Sequence, residues 1–262
     1  YPQRRDRGSC CVSRGRRMTA LVTGVSRGIG RAVALELIRQ GDVVGVYRQD
    51  HAAAQRLADA LAGEAAKLRS FACDLCDPEA REALLKRLSG SGEHFRGVVL
   101  NAGVAHYSAF VGGSATTLDP LLSELRSNLE APLLLLRGLL EAKLVADGAA
   151  VVFMSSNLVR HALAGHVGYS AAKAGLEGAV KQLCAELGPS RIRVNAVAPG
   201  LIRTDMTAHL GEVEMTVYAE QVPLGRVGRP EDVAQCVSFL LSEQSAYISG
   251  QVIDVDGGWG CR

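Results

Sequence analysis

The sequence predicts an α/β protein built on one doubly wound parallel sheet of about seven strands, with helices on both faces. Three observations point to this class. Short apolar runs alternate with longer amphipathic runs, as they do in successive β–α–β units. Glycine is abundant, with 29 copies, whereas aromatic residues make up only 5% of the chain. The length of 262 residues also suits a single large domain of this kind.

The strands are predicted from short apolar runs bounded by glycine, proline or polar residues. The first run is followed directly by a helical pattern, and the same alternation continues to the end of the chain. Because parallel crossovers are right-handed, the intervening helices must cover both faces of the sheet. The predicted strands span 19–24, 42–47, 67–74, 95–103, 148–156, 191–200 and 250–258.

Local signals predict where the helices begin and end. Gly41 is expected to cap the first helix, because glycine tolerates the left-handed conformation common at helix C-termini. Asp77 and Pro78 are residue types that begin a helix. The segment 201–226 is expected to be a loop with short helical patches. The predicted helices span 31–40, 51–63, a segment from 77, 118–144, 169–187 and 230–242.

The charge distribution divides the chain at Met18. Residues 1–17 hold six arginines and one aspartate, whereas residues 18–262 hold 23 basic and 26 acidic side chains. We expect one domain at 18–262 and, at 1–17, a disordered extension or added or upstream sequence; a transit peptide and a nucleic-acid-binding arm are the alternatives. The mildly acidic body argues against nucleic-acid binding. The tail lacks the apolar core of a secretory signal, so we expect a cytoplasmic protein.

Two further classes are disfavoured by composition. No apolar stretch reaches the ~20 residues that a membrane-spanning helix needs, so no membrane association is expected. The seven cysteines show no disulfide rhythm, and Cys73-x-x-Cys76 has no second pair to complete a zinc site. A redox dithiol is the alternative for this pair. We expect two reduced thiols in a reducing compartment and no metal.

The glycine-rich segment 23–30, TGVSRGIG, predicts a dinucleotide-binding turn. It follows the first strand and opens the first helix, so the N–H groups at that helix terminus can face a pyrophosphate. Gly24, Gly28 and Gly30 allow the tight turn and the close approach of the backbone. The spacing Gly-x-x-x-Gly-x-Gly differs from the commoner Gly-x-Gly-x-x-Gly.

Tyr169 and Lys173 lie four residues apart in a predicted helix, so they project from one face. A free tyrosine has a pKa near 10 and is a poor acid or base at neutral pH. A cation held close to the phenol favours its ionised form, so Lys173 is expected to lower the pKa of Tyr169.

The segment 18–258 resembles the short-chain dehydrogenase/reductases, and among them the 3-oxoacyl-[acyl-carrier-protein] reductases and related ketoreductases. Five signatures fall in that family's order along the chain, and YISGQVIDVDGG at 247–258 matches as well. The resemblance implies a Rossmann-type domain that assembles as a homotetramer. The five signatures are TGVSRGIG, NAG at 101–103, Asn128, Ser156 with Tyr169 and Lys173, and PGLIRTDM at 199–206.

The resemblance also implies a catalytic role for each of four residues. Tyr169 would be the general acid in carbonyl reduction, and Lys173 would lower its pKa and bind the nicotinamide ribose. Ser156 would hydrogen-bond the substrate oxygen as charge develops there, with Ser155 as the competing candidate. Alternation along the strand puts Ser155 on the opposite face, which favours Ser156. Asn128 would hold a water molecule that links Lys173 to solvent.

NADP(H) is the predicted cofactor. NAD sites usually place an acid at the end of the second strand, whereas this strand ends in Arg48, and Arg27 lies in the glycine loop. Two guanidiniums suit a 2′-phosphate, although Asp50 lies nearby. By resemblance, the cofactor contacts are Thr23, Gly24, Ser26, Arg27, Gly28, Ile29, Gly30, Arg48, Asp74, Leu75, Asn101, Ala102, Gly103, Tyr169, Lys173, Pro199, Gly200, Ile202 and Thr204.

The expected function is reduction of a 3-oxoacyl or polyketide-like ketone, in fatty acid or polyketide biosynthesis. The alternatives are a dehydrogenase of a sugar, polyol, steroid or other small alcohol, and a non-catalytic dinucleotide sensor. Docking of an acyl carrier protein stays open, because family members that dock one present basic residues where this chain has 146–150 and Ser190. Enzymes of this family shape their pocket at positions that here correspond to the segment 206–218 and to His106, Tyr107, Arg160, His161 and His166. We expect each of these to be a solvated or packing residue rather than a specific substrate contact.

Overall fold

The structure is a computed structural model that describes residues 18–111 and 119–261. The expectations for the arginine-rich segment 1–17, with Cys10 and Cys11, lie outside the described residues. Within the described ranges, no helix is both long and apolar enough to cross a membrane.

Seven parallel strands form one sheet in the order β3-β2-β1-β4-β5-β6-β7. The chain reverses its direction of winding between β1 and β4, and a crevice opens beyond the carboxyl ends of strands at such a point. The doubly wound class predicted from the sequence is confirmed. The strands β1 to β7 span Met18–Thr23, Gly41–Tyr47, Leu68–Ala72, Phe95–Leu100, Val145–Met154, Arg193–Pro199 and Val252–Val255.

Helices cover both faces of the sheet, and each face has its own apolar core. One core includes Leu37 of α1 and Leu240 of α8, and the other includes Leu88 of α3, Leu139 of α5 and Leu176 of α6. The helices α1 to α8 span Gly28–Leu37, His51–Ala60, Pro78–Gly90, Asp119–Leu125, Ala131–Glu141, Val167–Leu187, Glu212–Gln221 and Pro230–Leu241.

The helix predicted over 118–144 is interrupted within the described residues. A π-helical turn at Arg126–Glu130 separates α4 from α5, and the N–H of Ala131 donates to the carbonyl of Arg126. Pro132 explains the interruption, because it has no N–H for the carbonyl four residues earlier and its ring crowds that carbonyl. That carbonyl belongs to Asn128, so the irregular turn coincides with a predicted functional residue.

The prediction that Gly41 caps the first helix is wrong. Helix α1 ends at Leu37, and Gly41 is the first residue of β2. A Cβ atom at this position would lie 1.8 Å from the carbonyl oxygen of Met18. Glycine is therefore required by the close approach of two strands rather than by a left-handed turn.

Thr23 joins the carboxyl ends of β1 and β4. Its buried hydroxyl oxygen accepts the N–H groups of Asn101 and Ala102, each at 2.9 Å, and donates to the carbonyl of Val99 at 3.4 Å. The side-chain amide of Asn101 donates in turn to the carbonyl of Thr23 at 2.9 Å. These bonds fix the loop after β4 against the glycine loop.

We predict that Thr23→Val lowers the free energy of unfolding by about 1–3 kcal/mol, because it leaves two N–H groups without an acceptor. Thr23→Ser keeps the hydroxyl and should stay close to wild type. Urea unfolding followed by circular dichroism measures both. Equal stability of the valine and serine variants would contradict this role for the hydroxyl.

Candidate active site

A cleft of about 460 Å³ opens at the carboxyl ends of β1, β2, β3 and β4, where the topology places a ligand crevice. Its wall is completed by the segment after β6, which includes Asp205 and Met206. The residues predicted from the sequence that line it are Gly24, Ser26, Arg27, Gly28, Ile29, Arg48, Asp74, Leu75, Asn101, Ala102, Gly103 and Thr204.

The glycine loop has the geometry that a pyrophosphate requires. Gly24 and Gly28 adopt φ angles of 74° and 55°, in the left-handed region that favours glycine. Helix α1 begins at Gly28, and no side chain caps its N-terminus. Its first N–H groups therefore remain available to an anion, and the helix dipole favours negative charge there.

Two guanidiniums lie at the end of the cleft formed by β2. Arg27 and Arg48 are both exposed and line the cleft, and neither forms an ion pair within 18–111 and 119–261. Asp50 is engaged elsewhere, because its carboxylate accepts the N–H of Ala53 at 2.9 Å as the N-cap of α2. This end of the cleft therefore favours a phosphate over an unmodified ribose hydroxyl.

Two residues predicted to contact the cofactor lie behind the glycine loop instead of on the cleft wall. The hydroxyl of Thr23 is fully used in joining β1 to β4. At Gly30, a Cβ atom would lie 2.2 Å from the carbonyl oxygen of Gly24. Thr23 and Gly30 therefore affect the conformation of the glycine loop through their contacts with backbone groups.

Three predicted contacts after β6 also lie off this cleft. Pro199 ends β6 and pairs with Val255 of β7. Gly200 packs against the Tyr218 hydroxyl, which would lie 2.9 Å from a Cβ atom there. Ile202 is buried and lines a second cavity that also includes Asp254. Their sequence motif reaches the cleft at its end, with Thr204, Asp205 and Met206.

Tyr169, Lys173 and Asn128 are brought together next to the cleft. The Nζ atom of Lys173 lies 5.5 Å from the centroid of the Tyr169 ring. A Cβ atom at Gly103 would lie 2.2 Å from Oδ1 of Asn128 and 3.6 Å from Nζ of Lys173, so these two side chains surround Gly103. Asn128 is buried and pairs in both directions with the backbone of Val104, accepting at 3.1 Å and donating at 2.7 Å.

Lys173 is a buried ammonium, with only 4% of its surface exposed. It donates to the carbonyl oxygen of Met154, the last residue of β5, at 2.7 Å. Burial lowers the pKa of Lys173 to about 8, because the charged form loses its hydration. The amine can therefore gain and lose a proton near neutral pH.

The pKa of Tyr169 is raised, contrary to the expectation that Lys173 would lower it. Burial is the largest cause, a hydrogen bond with Ser156 acts in the opposite direction, and the nearby Glu124 carboxylate raises the pKa further. Lys173 directs its N–H towards Met154 and lies over the ring face. The phenol is consequently protonated at neutral pH, which is the form a general acid needs.

The two neighbouring serines have different partners. Ser155 Oγ donates to Oε1 of Glu177 at 2.7 Å, whereas the Ser156 hydroxyl lies close enough to the Tyr169 phenol to oppose the rise in its pKa. Both residues follow the observed end of β5 at Met154. The structure therefore places Ser156, rather than Ser155, beside the phenol.

Glu124 and His166 adjoin Tyr169 as well, and only His166 was named from the sequence. Glu124 is 2% exposed, and its carboxylate accepts the N–H of His106 at 2.7 Å. The His166 ring lies 6.4 Å from the Tyr169 ring, and its buried Nδ1 has no hydrogen-bond partner. Burial lowers the pKa of His166, and Glu124 opposes this effect. Glu124 could have been found from its position one helical turn before Asn128.

The Cys73-x-x-Cys76 pair is not organised for redox chemistry. Cys73 is buried, and burial followed by the nearby Asp74 carboxylate raises the pKa of its thiol to about 11. A thiol with that pKa is a weak nucleophile at neutral pH. Within the described part of the chain, no cluster of three potential metal ligands occurs.

Comparison with known proteins agrees with this site. The profile of a family described as enoyl-(acyl carrier protein) reductase matches residues 24–260. The 3-oxoacyl-[acyl-carrier-protein] reductase of Pseudomonas aeruginosa is 36% identical over 239 residues, which cover 91% of this chain and 96% of that protein. The chain belongs to the short-chain dehydrogenase/reductase family.

Other members of the short-chain dehydrogenase/reductase family show similar agreement. Carbonyl reductase family member 4 of Danio rerio is 38% identical, with 91% of this chain and 96% of that protein covered. A crystal structure assigned as an NAD(P)-dependent gluconate 5-dehydrogenase from Beutenbergia cavernae, with NADP bound at low occupancy, matches with a TM-score of 0.83. It is 31% identical, and the match covers 94% of this chain and 97% of that one. The protein is thus an NAD(P)-dependent oxidoreductase.

We predict that Lys173→Met stabilises the fold most at neutral pH. Below pH 8 both the folded and unfolded wild type carry the charged lysine, so the cost of its burial is fully present. Between pH 8 and 10.5 the folded state loses this proton first, and wild-type stability therefore rises with pH relative to the variant.

The free energy of unfolding of the methionine variant should exceed that of the wild type by up to roughly 3 kcal/mol at pH 7. This difference should shrink as the pH rises from 8 to 10.5. Loss of the hydrogen bond to Met154 changes the free energy of unfolding of the variant by the same amount at every pH. Urea unfolding at several pH values measures the difference, and Lys181→Met on the exposed side of α6 is the control. A stability difference that is constant or grows with pH would contradict the lowered pKa of Lys173.

Proposed function

We propose that the protein is an NADPH-dependent ketoreductase that converts a 3-oxoacyl or polyketide-like ketone into a secondary alcohol. The observation that carries this proposal is the convergence of the Ser156 hydroxyl, the Tyr169 phenol and the Lys173 ammonium beside a cleft suited to a dinucleotide. These groups can hydrogen-bond the carbonyl oxygen and give it a proton when a hydride reaches the carbonyl carbon.

Tyr169 is the proton donor in this reaction. A bound NADPH would supply the hydride to the carbonyl carbon, and the carbonyl oxygen would then need a proton. The phenol is protonated at neutral pH because its pKa is raised. The Ser156 hydroxyl hydrogen-bonds the same oxygen as charge develops, which stabilises the transition state more than the ketone.

Lys173 and Asn128 restore the proton. The pKa of about 8 lets Lys173 exchange a proton with solvent at working pH, and its position under the phenol lets it return that proton to Tyr169. Asn128 adjoins Lys173 around Gly103 and holds the connecting water in our proposal. The π-helical turn orients Asn128 towards this position.

NADPH is favoured over NADH by the charges at the end of β2. Arg27 and Arg48 are available to a 2′-phosphate, and the only nearby acid named from the sequence, Asp50, is engaged in capping α2. The relative from Beutenbergia cavernae is described with NADP, in agreement with this choice.

An acyl substrate is favoured by apolar side chains around the catalytic groups. Leu163 and Val167 are exposed and lie within three residues of His166 in the sequence, and the ring of Tyr107, also exposed, lies 6.2 Å from that of His166. Met206 is exposed on the wall of the cleft. Such a rim suits a hydrocarbon chain better than a polyol. The relatives described as 3-oxoacyl-[acyl-carrier-protein] reductases favour the same class.

Assembly and location belong to the same proposal. Helices α4 and α5 expose Leu122 and Leu134, in agreement with a homotetramer that packs these helices against their copies. We propose that this assembly acts in the cytoplasm. Sedimentation of the purified protein tests the assembly.

One alternative substrate class has an observation in its favour. The relative assigned as a gluconate 5-dehydrogenase indicates that a polyol fits a similar fold.

NADPH consumption with a panel of substrates separates the classes. The panel contains acetoacetyl thioesters on N-acetylcysteamine, coenzyme A and acyl carrier protein, together with 5-ketogluconate, a 3-ketosteroid and crotonyl thioesters. Turnover of the keto thioesters supports our proposal. Turnover of only the ketogluconate, or of only the crotonyl thioester, would replace it with a polyol dehydrogenase or an enoyl reductase.

We predict that Tyr169→Phe lowers kcat for the preferred ketone by roughly 10²–10⁴-fold, because the proton donor is lost. Cofactor-induced thermal stabilisation should remain, since the cleft is unchanged. Steady-state NADPH consumption and thermal unfolding measure the two effects. Wild-type protein that binds NADPH and turns over no substrate would identify a sensor instead.

We predict that Arg48→Ala weakens NADPH binding by about 10–100-fold, because a charged hydrogen bond contributes about 1.5–3 kcal/mol. NADH binding should stay within about two-fold, since its ribose carries no phosphate. Titration calorimetry with both cofactors measures the ratio. Arg56→Ala on the exposed face of α2 is the matched control. Equal weakening of NADPH and NADH would contradict the assignment of Arg48.

A further inference from the structure

A charged cluster joins three elements next to the catalytic groups, and the mechanism above does not use it. Glu177 of α6 accepts a hydrogen bond from the hydroxyl of Ser155 at 2.7 Å, and Nη1 of Arg160 donates to both oxygens of the same carboxylate at 3.1 and 2.9 Å. Arg160 also donates to Asp254 of β7. We call Ser155, Arg160, Glu177 and Asp254 the Glu177 clamp.

The clamp holds the two segments that carry the proton donor and its partner. Tyr169, Lys173 and Glu177 follow one another at intervals of four residues, so they lie along one face of α6. Ser155 directly precedes Ser156, and the chain leaves β5 just before both. Glu177 therefore fixes the backbone that presents Ser156 against the helix that presents Tyr169.

The clamp is more than a surface ion pair. The Glu177 side chain is 15% exposed, and the Arg160 side chain is 36% exposed. One carboxylate receives both a hydroxyl and a guanidinium, and the same guanidinium reaches a second carboxylate at the sheet edge. An isolated exposed pair contributes about 0–1 kcal/mol, whereas removing one partner of a shielded network leaves several groups unpaired.

We propose that Glu177 is a positioning residue, which keeps the Ser156 hydroxyl next to the Tyr169 phenol. This inference rests on the proposed reduction of ketones. It predicts that loss of the carboxylate frees Ser155, lets Ser156 move, and removes the hydrogen bond that lowers the pKa of Tyr169.

The sign of the pKa change distinguishes positioning from simple electrostatics. Loss of the Ser156 hydrogen bond raises the pKa of Tyr169, since that bond favours the phenolate. Removal of a negative charge alone would lower it. The other charged or titratable groups facing the phenol are Lys173 on the same helix, Glu124 on α4 and His166 before α6, and all remain in a Glu177 variant.

The test is Glu177→Gln, which keeps the size of the side chain and removes its charge. In the direction of alcohol oxidation, where ionised Tyr169 is the base, the midpoint of the pH–rate profile should move to higher pH. We expect kcat at neutral pH to fall by roughly 10–100-fold, as for a small misplacement of reacting groups. The KM for NADP should change less than about two-fold, because the cleft lies elsewhere.

Two comparisons make the result specific. Glu186→Gln removes the same charge from the exposed end of α6 and should leave the profile unchanged. Ser155→Ala removes one hydrogen bond without changing charge and should move the midpoint in the same direction as Glu177→Gln. The double variant should show less than the sum of the two effects, since both act through one contact. If Glu177→Gln does not fold, Ser155→Ala alone tests the proposal.

A crystal structure of Glu177→Gln separates failure of this inference from failure of the proposed function. We expect the distance between the Ser156 and Tyr169 hydroxyl oxygens to be longer in this variant than in a crystal structure of the wild-type protein. An unchanged distance, or a midpoint that stays in place or moves to lower pH, would overturn the role of Glu177. Absence of wild-type turnover with every ketone would contradict the proposed function, and the crystallographic distance would still decide the inference.

Discussion

The ammonium of Lys173, held out of water beneath the Tyr169 ring, is the constraint on which the rest of the site depends. A buried amine is costly, and its only side-chain hydrogen bond among the described residues goes to the carbonyl of Met154. Burial brings its pKa to about 8. The same environment raises the pKa of Tyr169 and keeps the phenol protonated. In the reaction we propose, one desolvated volume thus holds both the proton donor and the group that replenishes it.

The groups that surround the Lys173 ammonium are positioned by the carboxyl ends of the central strands. The carboxyl end of β5 offers the Met154 carbonyl and then Ser156, while the segment after β4 brings Gly103 against Asn128. A side chain at Gly103 would occupy the space of the Asn128 amide oxygen. The glycine loop after β1 is tied to the same segment through Thr23. The cleft and the side chains that we propose to be catalytic are therefore both positioned by the ends of the same central strands.

The strand–helix alternation could be predicted because parallel strands and amphipathic helices have different apolar periods. The spacing of Tyr169 and Lys173 likewise placed both on one helix face. The sequence could not show the π-helical turn at Asn128, which follows from a carbonyl crowded by Pro132. It also could not give the sign of the Tyr169 pKa shift, since the largest cause is burial by residues that are distant in sequence. Glu177 was missed because its partners, Ser155 and Arg160, meet it only in the folded chain.

The protonation of Lys173 is the most direct measure of this account. Nuclear magnetic resonance of protein with isotopically labelled lysine, with the signal assigned by its loss in Lys173→Met, gives the pKa of this amine. We expect a value near 8, well below the ordinary 10.5. A pKa at or above 10.5 would show that the amine is hydrated or paired with a carboxylate, and would contradict the buried proton relay beneath Tyr169.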